Sequence, residues 1–196
     1  MTVRTRLPAA ARREQILDAT KALAVERGFH AVSIDAVARA AGISRPIVYD
    51  HFRDLRGLLD ALIERETVRS REQLAAVLPG DVEPGDLRGA LHDALRRYLH
   101  AAQADPDTWR LVLMPPEGAP ELMRERIAAG REEAIAQLAQ TVGPQLSGVA
   151  DRELLVRMLS TLSDEAVRLL LTRPGDYPPE RLLAGARWMI DRLLRG

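Results

Sequence analysis

The sequence predicts an all-α protein of about nine helices. Alanine, leucine, arginine and glutamate dominate the chain and favour helices, whereas runs of alternating β-branched and aromatic residues are missing. Apolar residues recur in stripes at helical spacing in most segments. With 196 residues, 46% of them hydrophobic, the chain is long enough to bury a core in one or two domains.

Caps and helix breakers set the limits of the predicted helices in order. The first starts near Pro8 and ends at Gly28, and its apolar stripe consists of Ile16, Leu17, Thr20, Leu23 and Ala24. Ser33 and Ser44 cap two short helices, which end at about Gly42 and Phe52, and Asp54 caps a fourth that runs to about Leu78. Pro79-Gly80 and Pro84-Gly85 form the clearest break. Further helices are predicted at about 86–103, 105–114, 120–141, 151–172 and 179–194.

Several classes of protein are excluded by what the sequence lacks. Without cysteine, disulfides and thiolate metal sites are impossible, and no phosphate-binding glycine loop, metalloprotease motif or serine elbow is present. His92 and His100 share a helix face, but eight residues separate them by about 12 Å. No apolar run approaches the roughly 18 residues of a membrane span. We therefore expect a soluble, cytoplasmic protein that is not an enzyme and holds no cofactor or metal.

Charge is distributed unevenly, although the formal net charge is zero. The first sixty residues contain ten Lys or Arg and seven Asp or Glu, a net charge of +3, which leaves −3 for the remainder. Four arginines precede the first acidic residue, and two of them are Arg4 and Arg6. A basic N-terminal end on an acidic body is typical of a phosphate-binding head.

The segment from Ser33 to Phe52, SIDAVARAAGISRPIVYDHF, predicts a helix-turn-helix. Small residues, Ala38 and Ala41, stand where the two helices must cross, and Gly42 suits the positive φ of the turn. Val37, Ile43 and Val48 supply the shared apolar core. The second of these helices is then free to present its outer face to the major groove of DNA.

This segment, together with the preceding helix, the Tyr-x-His-Phe ending and the long fourth helix, resembles the DNA-binding domain of the TetR family of bacterial regulators. The resemblance covers about Arg12 to Leu62. It implies a helix-turn-helix DNA-binding domain at 8–55, preceded by a flexible segment at 1–7. An effector-binding and dimerisation domain would follow at 56–196, with 54–78 as the linking helix.

By the same resemblance, the contacts to DNA fall into two groups. Arg45, Pro46 and Ile47 would face base edges, where Arg45 can bond a guanine and the other two can pack on thymine methyl groups. The contacts to phosphates would come from Ser33, Ser44, Tyr49, His51 and Arg56. Alternatively, Tyr49 could be a core aromatic residue and His51 an ordinary surface residue, while Phe52 belongs to the core.

Two positions depart from the pattern of the family. A lysine that commonly contacts phosphate is replaced by Leu55, so that Arg53 or Arg56 would have to make this contact. Asp50 puts a negative charge among the recognition residues. It would either accept a hydrogen bond from cytosine or restrain Arg53.

The last two predicted helices carry broad apolar stripes, which either close the core or form a dimer interface. In TetR-like proteins these helices pair across a two-fold axis, which suits a pseudo-palindromic operator. The predicted interface residues are Leu155, Met158, Leu162, Leu169, Leu182, Ala186, Met189 and Leu193.

The resemblance also implies an effector pocket in the C-terminal domain. Aromatic and flexible apolar side chains would line it for a small apolar or amphipathic ligand, although each of them could be ordinary core. The predicted lining residues are Tyr98, Trp109, Leu113, Met114, Met123 and Ile127, with Glu165 or Arg168 as polar anchor. The predicted function is thus a ligand-responsive repressor that binds double-stranded DNA as a homodimer. The alternative is a helical protein-protein interaction module.

Overall fold

The computed structural model describes residues 7–78, 82–83, 85–146 and 148–193. Within these ranges the protein consists of nine α-helices and two short 3₁₀ turns, without a β-strand. The predicted break at Pro79-Gly80 and Pro84, the segment that contains Arg4 and Arg6, and Leu194 lie outside the described residues. None of the described helices is long and apolar enough to cross a membrane.

The helices begin and end within two residues of the predicted limits, because caps and breakers stand at both ends. In chain order they are α1 (Ala9–Arg27), α2 (Ile34–Ala40), α3 (Arg45–Phe52), α4 (Leu55–Val77), α5 (Leu87–Ala104), α6 (Pro106–Leu113), α7 (Glu121–Val142), α8 (Arg152–Thr172) and α9 (Pro179–Leu193). The 3₁₀ turns, Phe29–Ala31 and Gly143–Gln145, follow α1 and α7 and were not predicted.

The chain divides into two compact units. The head unit comprises residues 7–68 together with Pro115–Glu125, and the body unit comprises Arg69–Met114 and the described residues from Arg126 onward. The head unit therefore extends beyond the expected limit at residue 55, and it includes a segment that follows α6 in the sequence. Contact between this segment and the end of α1 includes a hydrogen bond of 3.0 Å from the Phe29 amide to the Glu117 carbonyl oxygen.

The core of the head unit is formed by the predicted apolar faces. Every residue of the α1 stripe is buried, and Val37 and Val48 are fully inaccessible to solvent. Gly42 adopts the expected positive φ of 65°, and the Ile43 amide returns to the Ala38 carbonyl oxygen at 2.9 Å. These features fix the turn between α2 and α3.

Helix caps differ at three predicted positions. The Ser33 hydroxyl accepts a hydrogen bond of 3.2 Å from the Ala36 amide, and Asp54 accepts one of 2.7 Å from the Gly57 amide. Ser44 also precedes its helix in an extended conformation, but its hydroxyl accepts no capping hydrogen bond from the described residues. Ser44 is therefore the N-cap residue of α3, as predicted, but its side chain does not make the capping hydrogen bond that Ser33 makes.

The body unit contains two apolar clusters around α5. One surrounds Tyr98 and Trp109, whose rings meet edge to face with centroids 4.8 Å apart. The other joins α5 to α7, α8 and α9 through Leu91, Ile135, Val156 and Ile190. The inner faces of α8 and α9 are buried in these clusters, so their outer faces remain available for other contacts.

Candidate nucleic-acid interface

Helix α3 is divided between the core of the head unit and its surface. Val48 and Phe52 are buried, whereas Arg45, Pro46, Tyr49 and Asp50 are exposed. Ile47 is half-buried between the two groups. A helix of eight residues that is anchored by only two side chains leaves its outer face available to a groove.

The neighbouring helix α1 holds the α2–α3 motif from below through polar contacts. The Gln15 amide donates to the Ala41 carbonyl oxygen at 2.8 Å, next to the turn glycine. At the other end of the motif, the Arg13 guanidinium lies 4.5 Å from the centre of the Phe52 ring and also contacts the His51 carbonyl oxygen. Helix α1 therefore contacts the α2–α3 motif both at its turn and at the end of α3, which fixes the position of the exposed face of α3.

Arg45 is paired within the motif itself. Its Nη1 atom lies 3.1 Å from Oδ1 of Asp35, in the first turn of α2, and both side chains are more than half exposed. This pair was not predicted from the sequence, because the two residues lie ten positions apart, on different helices.

The predicted phosphate contacts differ in accessibility. Ser33, Ser44 and Tyr49 are exposed, and Tyr49 exposes half of its surface. His51 is half-buried, with its ring centre 6.2 Å from that of Phe52, so it is the least available member of this group.

The two arginines that were considered as substitutes for the missing lysine stand in different settings. Arg56 is 90% exposed and forms a loose ion pair with Asp60 at 3.8 Å. Arg53 ends α3 with a positive φ of 61°, a conformation that a non-glycine residue rarely adopts. Leu55, at the lysine position, is half-buried at the start of α4. Both arginines are exposed, so both are accessible to a phosphate.

Comparison with known proteins agrees with this geometry. Residues 16–62 match the family model described as bacterial regulatory proteins, tetR family. An uncharacterised HTH-type transcriptional regulator of Mycobacterium tuberculosis is 30% identical over 157 residues, which are 76% of this chain and 73% of that protein. The chain belongs to the TetR family.

Other similar proteins extend the comparison. A TetR-like transcriptional regulator from Rhodococcus sp. RHA1 superposes with a TM-score of 0.78 over 97% of this chain and all of that one, at 26% identity. The transcriptional activator FasR of Mycolicibacterium smegmatis is 31% identical over 107 residues, which cover 55% of this chain and 48% of FasR. The protein is thus a DNA-binding transcriptional regulator, a class outside the enzymes, as predicted. The structural match to the Rhodococcus regulator confirms the predicted all-helical fold.

The body unit of this TetR-family protein contains most of the predicted effector-lining residues. Tyr98 and Trp109 are buried in its aromatic cluster, against which Leu113 packs, while Met114 and Ile127 are half-buried. Met123, in contrast, belongs to the head unit, where it is buried.

The buried carboxylate near the aromatic cluster is Asp164, which the sequence analysis missed. Its Oδ1 accepts a hydrogen bond of 3.0 Å from the Tyr98 hydroxyl, and its Oδ2 lies 3.2 Å from the Arg131 guanidinium. Burial raises the pKa of Asp164, and Arg131 and the Tyr98 hydrogen bond offset part of this effect. Burial and the adjacent Asp164 likewise raise the pKa of Tyr98 well above its ordinary value.

The predicted polar anchor, Glu165, lies on the outer side of α8. Glu165 is exposed and pairs with Arg168 at 3.5 Å, so its side chain lies outside the aromatic cluster. One residue along a helix corresponds to a rotation of about 100°, which separates Glu165 from the buried Asp164. Arg168, the other predicted anchor, is partly buried and donates to the Leu113 carbonyl oxygen at 3.2 Å.

A small apolar cavity lies in the second cluster of the body unit. It has a volume of about 10 Å³ and is lined by Leu91, Leu146, Leu155, Leu159, Ile190 and Leu193. This volume is roughly that of one water molecule, so an organic ligand would need these helices to separate.

The predicted dimer residues fall into three groups. Met158, Leu162, Met189 and Leu193 are exposed, and Leu154 and Trp188, which were not predicted, join them. Leu155, Leu169 and Leu182 are half-buried. Ala186 is 8% exposed and belongs to the apolar cluster around Tyr98 and Trp109, so it is the least accessible of the predicted interface residues.

Proposed function

We propose that this protein is a ligand-responsive repressor, which binds a pseudo-palindromic DNA operator as a homodimer through its α2–α3 face. The observation that carries the proposal is the division of α3: Val48 and Phe52 anchor the helix, while Arg45, Pro46 and Tyr49 remain on its outer face. Homodimerisation and DNA binding are typical of the family, and the remaining details are inferred for this chain.

The inferred contacts follow from exposure and chemistry. Arg45 would bond a guanine through two donors, and Pro46 and Ile47 would pack on thymine methyl groups. Four other accessible side chains would contact phosphates and fix the register without reading sequence: Ser33, Ser44, Tyr49 and Arg56. His51 would contribute least, because it is half-buried.

The dimer would form through the outer faces of α8 and α9. Leu154, Met158 and Leu162 stand four residues apart on α8, and Met189 and Leu193 repeat this spacing on α9. Exposed apolar stripes of this kind favour a protein interface. A second copy would supply the second recognition helix, at the spacing of about 34–36 Å that successive major grooves require.

Control by a ligand would act through the body unit. The aromatic cluster around Tyr98 and Trp109 is supported as an effector site by its apolar character and by the buried Asp164 nearby. A small apolar or amphipathic molecule would act through its different affinities for the DNA-binding and the released arrangement. Since FasR is named an activator, a reporter gene downstream of the operator is needed to test the direction of regulation.

DNA binding is tested with duplexes that the full-length protein selects from a randomised pool. We expect the affinity of the selected duplex to fall steeply as salt rises, since several phosphate contacts release counterions. Arg45→Ala should weaken the preference for one base pair by about 1–3 kcal/mol, with a smaller loss on random duplexes. Equal losses on both duplexes would contradict base reading by Arg45, and failure to enrich any sequence would favour the protein-interaction alternative.

The dimer is tested by Leu162→Glu, which places a charge on the outer face of α8. Sedimentation should show at least about a 100-fold weaker self-association, because the carboxylate would have to be desolvated in the interface. Leu122→Glu is the matched control, since Leu122 is a similarly exposed leucine on α7. A wild-type protein that remains monomeric at micromolar concentration would overturn this part of the proposal.

A further inference from the structure

We propose that Asp35 is a specificity-determining residue, which orients the Arg45 guanidinium for base reading and at the same time disfavours binding to random DNA. The inference rests on the proposed function of Arg45. It concerns a residue that carries the wrong charge for a phosphate contact, yet lies on the face that would meet DNA.

The backbone fixes the positions of both residues. Asp35 is in the first turn of α2, directly after Ile34 and two residues after the capping Ser33. Arg45 is the first residue of α3, and the Gly42 turn holds the two helices through the Ile43–Ala38 hydrogen bond of 2.9 Å. The carboxylate and the guanidinium therefore meet across the turn without depending on a flexible loop.

The pair leaves the reading edge of the arginine free. The closest approach joins Nη1 of Arg45 to Oδ1 of Asp35 at 3.1 Å. A guanidinium has five N–H donors in a fixed plane, so that the edge formed by Nε and Nη2 can still donate to O6 and N7 of a guanine. By holding the plane, Asp35 reduces the side-chain entropy that Arg45 loses when it binds the base.

The charge of Asp35 has the opposite effect on unspecific binding. A carboxylate at 58% exposure on a DNA-facing surface repels phosphates, and this repulsion does not depend on base sequence. Asp50 adds a second exposed carboxylate to the face, whereas the exposed Arg39 and Arg53 oppose it. Asp35 differs from Asp50 because its charge is paired with the arginine that reads the base.

The test uses three duplexes. The first is the duplex that the wild-type protein selects, the second is altered at the base pair whose identity the Arg45→Ala variant no longer distinguishes, and the third has a random sequence. For Asp35→Ala we expect tighter binding to the random duplex by about two- to fivefold, as the repulsion is removed. Discrimination at that base pair should fall by about fivefold or more. Asp35→Asn should retain part of the discrimination, since its amide oxygen can still accept from Arg45.

Asp60→Ala provides the matched control, because Asp60 forms an exposed ion pair with Arg56 in the same unit. It should alter affinity for all three duplexes alike. In the double variant Asp35→Ala with Arg45→Ala, the loss of discrimination should not exceed that of Arg45→Ala alone. Melting temperatures and circular dichroism establish that every variant is folded.

Two results separate failure of this inference from failure of the proposed function. If Asp35→Ala changes affinity for all three duplexes equally while Arg45→Ala abolishes discrimination, Asp35 acts by simple repulsion and the inference is overturned. If Arg45→Ala leaves discrimination at every base pair intact, the role of Arg45 in the proposed function is wrong, and the role of Asp35 is wrong with it.

Discussion

The two units of the protein bury polar side chains in different ways. In the head unit an ion pair has both of its side chains buried: Lys21 on α1 and Glu66 on α4 meet at 3.2 Å, with side-chain exposures of 11% and 3%. In the body unit the buried carboxylate of Asp164 pairs with Arg131, which is 40% exposed, and hydrogen bonds join further polar groups to aromatic residues, as in the bond of 2.7 Å from the Trp109 indole to Gln73. Ion pairs of this kind fix the register of two helices at a desolvation cost, whereas hydrogen-bonded aromatic residues mainly complete the packing of a core.

The Lys21–Glu66 pair belongs to a larger cluster of charged side chains between α1 and α4, which also contains Arg65, Glu14 and Asp18 and is called the ionic seam below. Arg65 contacts Glu14 and Asp18 on α1 at 2.9 Å each, as well as the adjacent Glu66. Burial lowers the pKa of Arg65, but its carboxylate partners outweigh this effect and raise it overall. The seam ties α1, which supports the α2–α3 motif, to the first part of α4.

The largest effect is expected from breaking the seam. Glu66→Ala removes the least exposed carboxylate and leaves the Lys21 and Arg65 cations beside an uncharged site, so the free energy of unfolding should fall by about 3–5 kcal/mol. Urea denaturation at a fixed protomer concentration measures this change.

The matched control is Glu133→Ala. Glu133 pairs with Arg71 at 2.8 Å in the body unit, and both side chains are well exposed, so the cost should stay below about 1 kcal/mol. Equal costs for the two substitutions would show that the head unit does not depend on its buried ions, and the comparison between the units would fail.

An intermediate effect is expected in the body unit from Tyr98→Phe. The ring remains against Trp109, but Asp164 loses a buried donor at 3.0 Å, which should cost about 1–3 kcal/mol at neutral pH. The pKa of Tyr98 is raised in the folded protein, so the wild type should lose stability as the pH rises above about 10, where the unfolded chain ionises. Tyr98→Phe should lack this part of the alkaline loss.

Tyr177→Phe is the control for Tyr98→Phe. The Tyr177 ring lies 4.8 Å from the guanidinium carbons of both Arg173 and Arg181, and it is only half-buried. Its substitution should change the free energy of unfolding by less than about 0.5 kcal/mol. Denaturation curves at pH 7 and above pH 10 compare the two variants, and identical curves for both would contradict a special role of the Tyr98 hydroxyl.

The smallest effect on the free energy of unfolding is expected from two serines of the head unit. Their substitution compares the contribution of one neutral hydrogen bond with that of the ionic seam. Ser33→Ala removes a capping bond and should lower the free energy of unfolding by about 1 kcal/mol, whereas Ser44→Ala removes no cap and should leave it unchanged. If both hydroxyls contact phosphates, DNA affinity should fall in both variants. A stability loss in Ser44→Ala equal to that in Ser33→Ala would contradict the difference between the two helix starts.

Much of the fold was predictable because its signals are local. Pro8, Gly28 and Asp151 stand at helix limits for reasons that act within one turn of chain, and the positive φ of Gly42 follows from the tight turn. The buried stripe of α1 was predictable for the same reason, since helical periodicity places its residues on one face.

Features that depend on distant residues were not predictable in the same way. The Arg45–Asp35 pair and the Lys21–Glu66 pair join helices whose relative placement the sequence does not specify residue by residue. On the broad stripe of α9, Ala186 faces the core while Met189 faces outward, and apolar character alone does not separate them. Likewise, Asp164 is buried while the adjacent Glu165 is exposed, a difference of about 100° around the helix that composition does not reveal.

The segment Pro115–Glu125 has a consequence for how this protein can be dissected. The head unit is assembled from two stretches of sequence, so a fragment that stops at Val68 would leave behind the partner of the Phe29 amide and the buried residues Ala119 and Met123. The glycines on both sides of this contact are constrained by their positive φ angles of 82° and 76°, and a Cβ on Gly28 would also lie 3.2 Å from the Glu117 carbonyl oxygen. A DNA-binding head transplanted onto another regulator therefore has to carry this second stretch with it, or a substitute of the same shape.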